Sequence, residues 1–404
     1  MFERAPFRPC PACGNSQLGL LSAGGLSLTR RCRVCRYSET SPLPPLNKKV
    51  IYLDQFAVSE IYKLRSNIRK AKANSQAFWK ELERVIRRVS LLQQAVFPES
   101  EIHSNETIVS PFPTELRVAH EMLGGDISFV SPDKIVFSQN WDFFLAFIEN
   151  RSPPHINFSV DKILIGDRNT WIADLHISVN MNYSQFAEGI RTARDNTAGA
   201  ISQVAERWAR EKPTFQQVLQ DELNSFGRSH VESVLGAMSR IHNGHIKGDV
   251  MDVIEGTHHR VYRQFTCMAD HLQSAGYDEE SSTKKIIEFW HSPQNIHIPH
   301  HRISSYLFAA AARKMASGQK RCPSRGFVND VSALSIYGPY VDAIFIDNEC
   351  AGLLQESPLR EELGLDDKIF CMNRGDDFIS YLRSLEAAAD PLVHSYAEEI
   401  YGLS

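Results

Sequence analysis

No stretch of this chain approaches the roughly 18 consecutive apolar residues that a membrane-spanning helix requires. Its first residues, Met-Phe-Glu-Arg-Ala-Pro, lack the apolar core of a secretory signal. The expectation is therefore a cytoplasmic protein with no membrane contact. Internal repeats and low-complexity tracts are also missing, which excludes solenoid and fibrous architectures. Gly24-Gly25 and Gly124-Gly125 lack the surroundings of a phosphate-binding loop, so nucleotide hydrolysis of the P-loop kind is unsupported. Cysteine is sparse. Of eight, Cys267, Cys322, Cys350 and Cys371 are scattered without spacing, which argues against a disulfide framework and for a reducing compartment.

What is present is ordinary globular material: 404 residues, 43% hydrophobic and 23% charged, enough for two or three domains with a substantial core. The near-balanced net charge of −4 hides an asymmetry, because residues 1–49 carry eight Lys/Arg against Glu3 and Glu39. A basic end of this kind is a candidate polyanion contact.

The remaining four cysteines form the strongest local motif. Cys10-Pro-Ala-Cys13 is followed after eighteen residues by Cys32-Arg-Val-Cys35, two C-x₂-C pairs at a spacing that reads as zinc. Each pair puts two thiolates on one turn, and two pairs close a tetrahedral S₄ shell with no open position. Such a site is structural, so any catalysis must be sought elsewhere. The segment Leu18 to Leu28, broken by Gly24-Gly25, predicts a small hairpin, and the whole resembles a zinc ribbon over residues 1–46. Arg30, Arg31, Arg33 and Arg36 surround the second pair and could grip phosphates, although many ribbons only pack on a neighbour. Pro42, Pro44 and Pro45 form a stiff linker.

Beyond the linker, short β-branched and aromatic runs alternate with helical periodicity, which predicts an α/β fold with a parallel sheet. Strands are expected at Lys49–Asp54, Ala95–Pro98, Ala343–Ile346 and Lys368–Cys371. Helices are expected at Val58–Ala73, Gln76–Gln93, from Glu99, from an Asn329-Asp330 cap to Ile336, at Glu349–Leu354, and at Asp376–Ala389, the last element. Residues 151–320 read differently, as long amphipathic stretches including Tyr183–Trp208, Phe215–Phe226, His230–His242 and Ile303–Met315. The expected organisation is thus an α/β domain in two parts, 47–150 and 321–404, split by a helical insertion at 151–320.

Two strands end on acids, Val-Ile-Tyr-Leu-Asp54 and Ala-Ile-Phe-Ile-Asp347, and open α/β sheets gather their chemistry at carboxyl ends. Glu101, Glu106 and Glu115 follow the second strand, and Asp330 precedes the acid-tipped third. Clustered carboxylates repel, whereas Mg²⁺ or Mn²⁺ takes oxygen ligands, so the pattern suggests an acid-lined metal site. Asp342 is separable from Asp347, since five extended residues span about 16 Å at about 3.3 Å each. Asp342 is therefore expected to cap or hydrogen-bond.

In order and placement, Val-Ile-Tyr-Leu-Asp54-Gln, Phe-Pro-Glu-Ser-Glu101-Ile-His103-Ser-Asn-Glu106, Asn-Asp330-Val and Asp342-Ala-Ile-Phe-Ile-Asp347-Asn-Glu resemble the PIN-domain nucleases, over about 47–150 and 321–404. The resemblance implies a small doubly wound α/β fold. It also implies one or two divalent ions on Asp54, a second acid, Asp330 and Asp347, activating water against a phosphodiester. For the second acid the order of preference is Glu106, Glu101, Glu115; His103 could touch the site or orient Glu106. RNA is the expected polymer, with the ribbon assisting binding. Phe56, two after the first acid where the family is often polar, and the long insertion depart from the pattern and leave substrate choice open. The insertion could be a lid, an arm or an interface for a second copy or another protein. A nucleic-acid-binding scaffold without cleavage is the rival. His297-Ile-Pro-His300-His301 has no further ligand at a suitable spacing and is expected to belong to a surface or capping loop.

Overall fold

The computed structural model describes residues 7–65, 73–172 and 184–403. The first unit is an antiparallel meander, β1 (Leu18–Gly24), β2 (Ser27–Cys32) and β3 (Ser38–Pro42), with Gly25 at φ +58° in the β1–β2 turn. After the proline linker come β4 (Lys49–Leu53), α1 (Gln55–Arg65), α2 (Ala73–Leu91) and β5 (Ala95–Val96). α1 begins three residues earlier than periodicity predicts, because the Asp54 carbonyl accepts from Ala57 and Val58 and starts the helix at once. Residues 66–72 of that expected helix lie outside the described residues, and its expected last residue, Ala73, is the first of α2.

Then follow α3 (Glu101–Ile108), α4 (Pro113–Gly124), β6 (Ser128–Phe129), α5 (Pro132–Ile148) and β7 (Leu164–Ile165), the last pairing antiparallel with β6. The insertion contributes α6 (Ser184–Glu211), α7 (Phe215–Lys247), α8 (Val250–His258), α9 (Arg260–Ser274) and α10 (Glu279–Trp290). α7 is one helix where two were expected. Gly227 does not break it: a side chain there would collide with the Trp290 carbonyl, so this glycine serves close approach of α10.

The chain closes with α11 (Pro299–Ala316), α12 (Phe327–Ile336), β8 (Ala343–Phe345), α13 (Asn348–Leu354), α14 (Leu359–Leu363), β9 (Ile369–Phe370), α15 (Gly375–Ala387) and α16 (Pro391–Tyr401). α15 is not the last element as expected. Asp390 accepts from the Leu392 amide and Pro391 opens a further helix.

β5, β4, β8 and β9 form one parallel sheet in that order. Alternate residues face two cores, as a strand buried on both sides requires. Val50, Tyr52, Ile344 and Ile346 pack with α11, α12 and α13, while Ile51, Leu53, Ala343 and Phe345 pack with α1, α2 and α15. The run Ala309 to Ala312 is wholly buried in the first of these cores, so small side chains let neighbouring helices pack closely on α11. Within the span read as the insertion, β7 pairs with β6, and α11 packs both against α6 and α7 and against α12 and α13.

The ribbon packs through Ala23, Leu28 and Leu43 against Leu91, Leu92 and α16. Leu91 and Leu92 stand just before β5, so this contact lies at the amino-terminal edge of the sheet. Arg30 is buried there, its Nε 2.9 Å from Glu399 Oε1, and Arg8 reaches Glu399 Oε2 at 2.7 Å. Arg30 is thus no phosphate-gripping cation as expected, but a tie between the ribbon and α16. No helix among the described residues is long and apolar enough to cross a membrane.

Candidate metal centres

The four thiols at residues 10–35 converge, with ligand atoms all within 4.8 Å of one another. Cys10 and Cys35 Sγ are 3.6 Å apart, and Cys13 and Cys32 Sγ 3.8 Å. A zinc tetrahedron with bonds of about 2.3 Å has edges of about 3.8 Å, so the set fits one ion. Both knuckles turn alike: the Gly14 amide bonds the Cys10 carbonyl and the Arg36 amide the Cys32 carbonyl, with φ at +72° and +63°. The shell is complete in sulfur, and such a site holds structure together.

At the opposite edge of the sheet, strand order reverses between β4 and β8, since β5 lies outside one and β9 outside the other. Asp54 and Asp347 follow these two central strands, at the crevice where open α/β sheets bind ligands. The Asp54 amide bonds the Phe345 carbonyl at 3.0 Å, fixing the first acid beside the second strand. Asp347 caps α13, accepting from the Cys350 amide at 3.0 Å.

Asp330 does not cap its helix. α12 starts at Phe327, which puts Asp330 one turn inside, with only 8% of its surface exposed. Its carboxylate makes no hydrogen bond or ion pair with the described residues. One oxygen each from Asp330 and Asp347, and the buried Cys350 Sγ, lie within 4.8 Å of one another. Asp54 and Glu106 stand outside that tight group but act on it. Burial, then Asp54, Asp347, Glu106 and Glu349, push Asp330 far above the ordinary carboxylate range. Burial, then Glu106 and Asp347, push Asp54 up to about 8, against the Gln55 amide that bonds it at 2.6 Å.

Glu106 comes from α3 and is held by Asn329 Nδ2 at 2.7 Å, with Arg194 Nη2 of α6 at 3.5 Å. The other candidate acids do not join. Glu101 is exposed at the first position of α3, and Glu115 is exposed on α4, a helix the sequence reading missed; neither acts on Asp54 or Asp330. His103 is sealed between Tyr52 and His120, with centroids 4.6 and 4.9 Å away, and its Nδ1 accepts from the Ser100 amide at 3.0 Å. It anchors the start of the helix bearing Glu106 and touches no acid. Asp342 sits at the start of β8, pairing Lys49 at 2.8 Å and accepting from the Val50 amide at 2.9 Å, the hydrogen-bonding part expected of it.

His300 and His301 are buried in the first turn of α11, against Gln139 and Phe226, not on a surface loop. Pro299 starts the helix and the aromatic cluster of the insertion covers it. The sequence reading gave no role to Glu349, whose Oε2 accepts from the Ser324 amide, to Cys350, or to Arg194. Glu349 and Cys350 were within sight as the first turn after Asp347; Arg194 had no local signal.

An oxygen-rich set with one buried, unpartnered carboxylate fits a hard divalent cation, which would replace like-charge repulsion with attraction. Comparison with family models, with curated proteins and with solved structures finds no match for this chain. The fold and site alone define it: a mixed α/β protein with a parallel sheet, an acidic centre at its switch point, and four cysteines able to hold a metal such as zinc.

Proposed function

We propose that this is a PIN-like, Mg²⁺- or Mn²⁺-dependent nuclease that hydrolyses phosphodiester bonds, with RNA the expected substrate. The observation that carries the reading is the meeting of Asp54, Glu106, Asp330 and Asp347 around the reversal point of a parallel sheet. Asp330 and Asp347, whose oxygens are closest, would hold the ion. When bound, such an ion supplies an acidified water and offsets charge on the phosphoryl oxygens. Asp54, across the junction of β4 and β8, would orient the attacking water. Glu106 is pinned by Asn329, and Arg194 beside it would meet a phosphate oxygen, which gives the insertion a part in the site.

A scaffold without cleavage would be favoured had every glutamate after the second strand turned away; Glu106 does not. Zinc in the ribbon is read as structural. The exposed Arg31, Arg33 and Arg36 form a cationic face at the sheet's other edge, suited to a distant stretch of a long polymer. A protein contact through the insertion, with a second copy or another chain, is supported by the exposed Leu235, Met238, Ile246, Val250, Met251 and Ile254 of α7 and α8.

The test is cleavage of labelled single-stranded RNA, structured RNA and DNA with Mn²⁺, with Mg²⁺, or with no added divalent ion. Metal-dependent cutting is expected, reduced at least about 100-fold in Asp54→Asn and Asp347→Asn with folding retained. Full cleavage by either variant would remove the assignment.

A further inference from the structure

Beside Asp347 and Glu349 the surface opens into a pocket of about 510 Å³. Its lining divides by chemistry. The end of α11 and the loop after it bring Lys314, Gln319 and Arg321, while Phe56 at the start of α1 and Met372 just after β9 bring apolar surface. Lys314 is paired with Glu356 at 2.8 Å; Arg321 is exposed and makes no ion pair with the described residues. The sheet order fixes where this pocket lies. Met372 follows β9 on one flank of the acids, and Glu106 with Arg194 lies on the other, towards β5.

The volume is in the range of small-molecule sites, about 300–1,000 Å³. Cations beside a flat aromatic and a thioether do not suit an apolar ligand or a bare anion. They suit a group that is both anionic and flat. We propose that the pocket takes one unpaired nucleotide of a nucleic-acid strand, its base against Phe56 and Met372 and its phosphate between Lys314 and Arg321. The neighbouring phosphodiester then lies over the acidic centre. This rests on the nuclease reading and adds a selectivity to it. A base can reach Phe56 only by leaving its stack, so single strands, loops and ends are taken and continuous duplex is refused. Phe56, the residue that departs from the polar pattern at its position, becomes the stacking platform.

The experiment is equilibrium binding by fluorescence anisotropy, using full-length protein with its zinc retained and no other divalent ion. The probes are a labelled single-stranded oligonucleotide and a blunt duplex of the same sequence. The single strand is expected to bind about tenfold more tightly than the duplex, and Arg321→Glu to weaken it about tenfold. Phe56 also packs near Trp79 and Phe345, with centroids 6.0 and 5.8 Å away, so Phe56→Leu is used to keep the bulk and lose the flat face. It should lower single-strand affinity about fivefold while hardly changing duplex affinity. Equal binding of both probes, or single-strand affinity within about twofold of wild type in both variants, overturns the proposal. If those variants are neutral while metal-dependent cleavage persists, only the pocket assignment fails. Strand preference lost in the variants, with no cleavage by the wild type, leaves the pocket standing and removes the nuclease reading.

Discussion

Two places in this molecule crowd like side chains together, and they are built in opposite ways. The thiols of Cys10, Cys13, Cys32 and Cys35 come from two local turns within one small meander, and the shell is closed. The carboxylates of Asp54, Glu106, Asp330, Asp347 and Glu349 come from four places far apart in the chain, the β4–α1 junction, α3, α12 and the start of α13, and the site stays partly open. A closed sulfur shell of this kind suits a structural ion such as zinc. The second stands at the end of a packed sheet and gathers carboxylates that repel one another. On the proposed reading, that difference separates a stabilising site from one that carries chemistry.

The largest expected effect is on the thiol side. Cys32→Ser should abolish stoichiometric zinc, one per chain, and make the ribbon susceptible to proteolysis while the α/β body keeps its cooperative melt; zinc analysis and limited digestion check this. Structural zinc sites carry on the order of 10 kcal/mol of binding energy that is also folding energy. A variant that keeps its zinc would dissolve the contrast between the two centres.

The acidic centre should respond to pH in the reverse sense of an ordinary carboxylate pair. Asp54 is raised in the folded protein from 3.8 to about 8, so the folded state holds a proton that the unfolded state releases above about pH 4. Stability from this group is complete below about pH 4 and is lost as pH rises towards 8, by up to about 1.4 kcal/mol per pH unit for one retained proton. Thermal melts without added divalent ion should show the fall. Added Mn²⁺ should reverse it most strongly at pH 8, where the acids are most nearly charged.

For the same reason Asp330→Asn should stabilise the ion-free protein by about 1–3 kcal/mol, seen as a higher melting temperature, and abolish stabilisation by Mn²⁺. A destabilised variant would mean that Asp330 is satisfied in a way its surroundings do not reveal. The smallest effect is expected for Asp342→Asn. Lys49 is 44% exposed and the pair stands at the far end of β8, so a loss of about 1 kcal/mol or less with unchanged cleavage is anticipated. Cleavage lost in this variant would erase the distinction between the two aspartates of that segment.

Much of the fold was legible where pattern and burial agree. The four parallel strands appeared as short apolar runs because both faces are buried, and the cysteine pairs appeared because their geometry is local. α4, α5 and α16 were missed although each starts at a proline and α16 carries an Asp390 cap, local signals of a helix start. The two stretches Phe215–Phe226 and His230–His242 prove to be one helix, and the Gly227 between them makes room for the carbonyl of Trp290. Asp330 misled in the other direction, since Asn-Asp ahead of an apolar run looks like a cap.

Sequence alone determined the four-cysteine cluster, the acid-tipped strands and the separation of Asp342 from Asp347, because each depends on neighbours within a few residues and on the fixed rise of a strand. Tertiary structure decided which glutamate joins, that Glu349 and Cys350 stand beside the Asp330 and Asp347 carboxylates, and that Arg30 serves Glu399. It also brought Arg194 of the insertion to Glu106 across the crevice. Those choices depend on which face of each helix meets which end of the sheet, a three-dimensional matter that the local pattern does not encode.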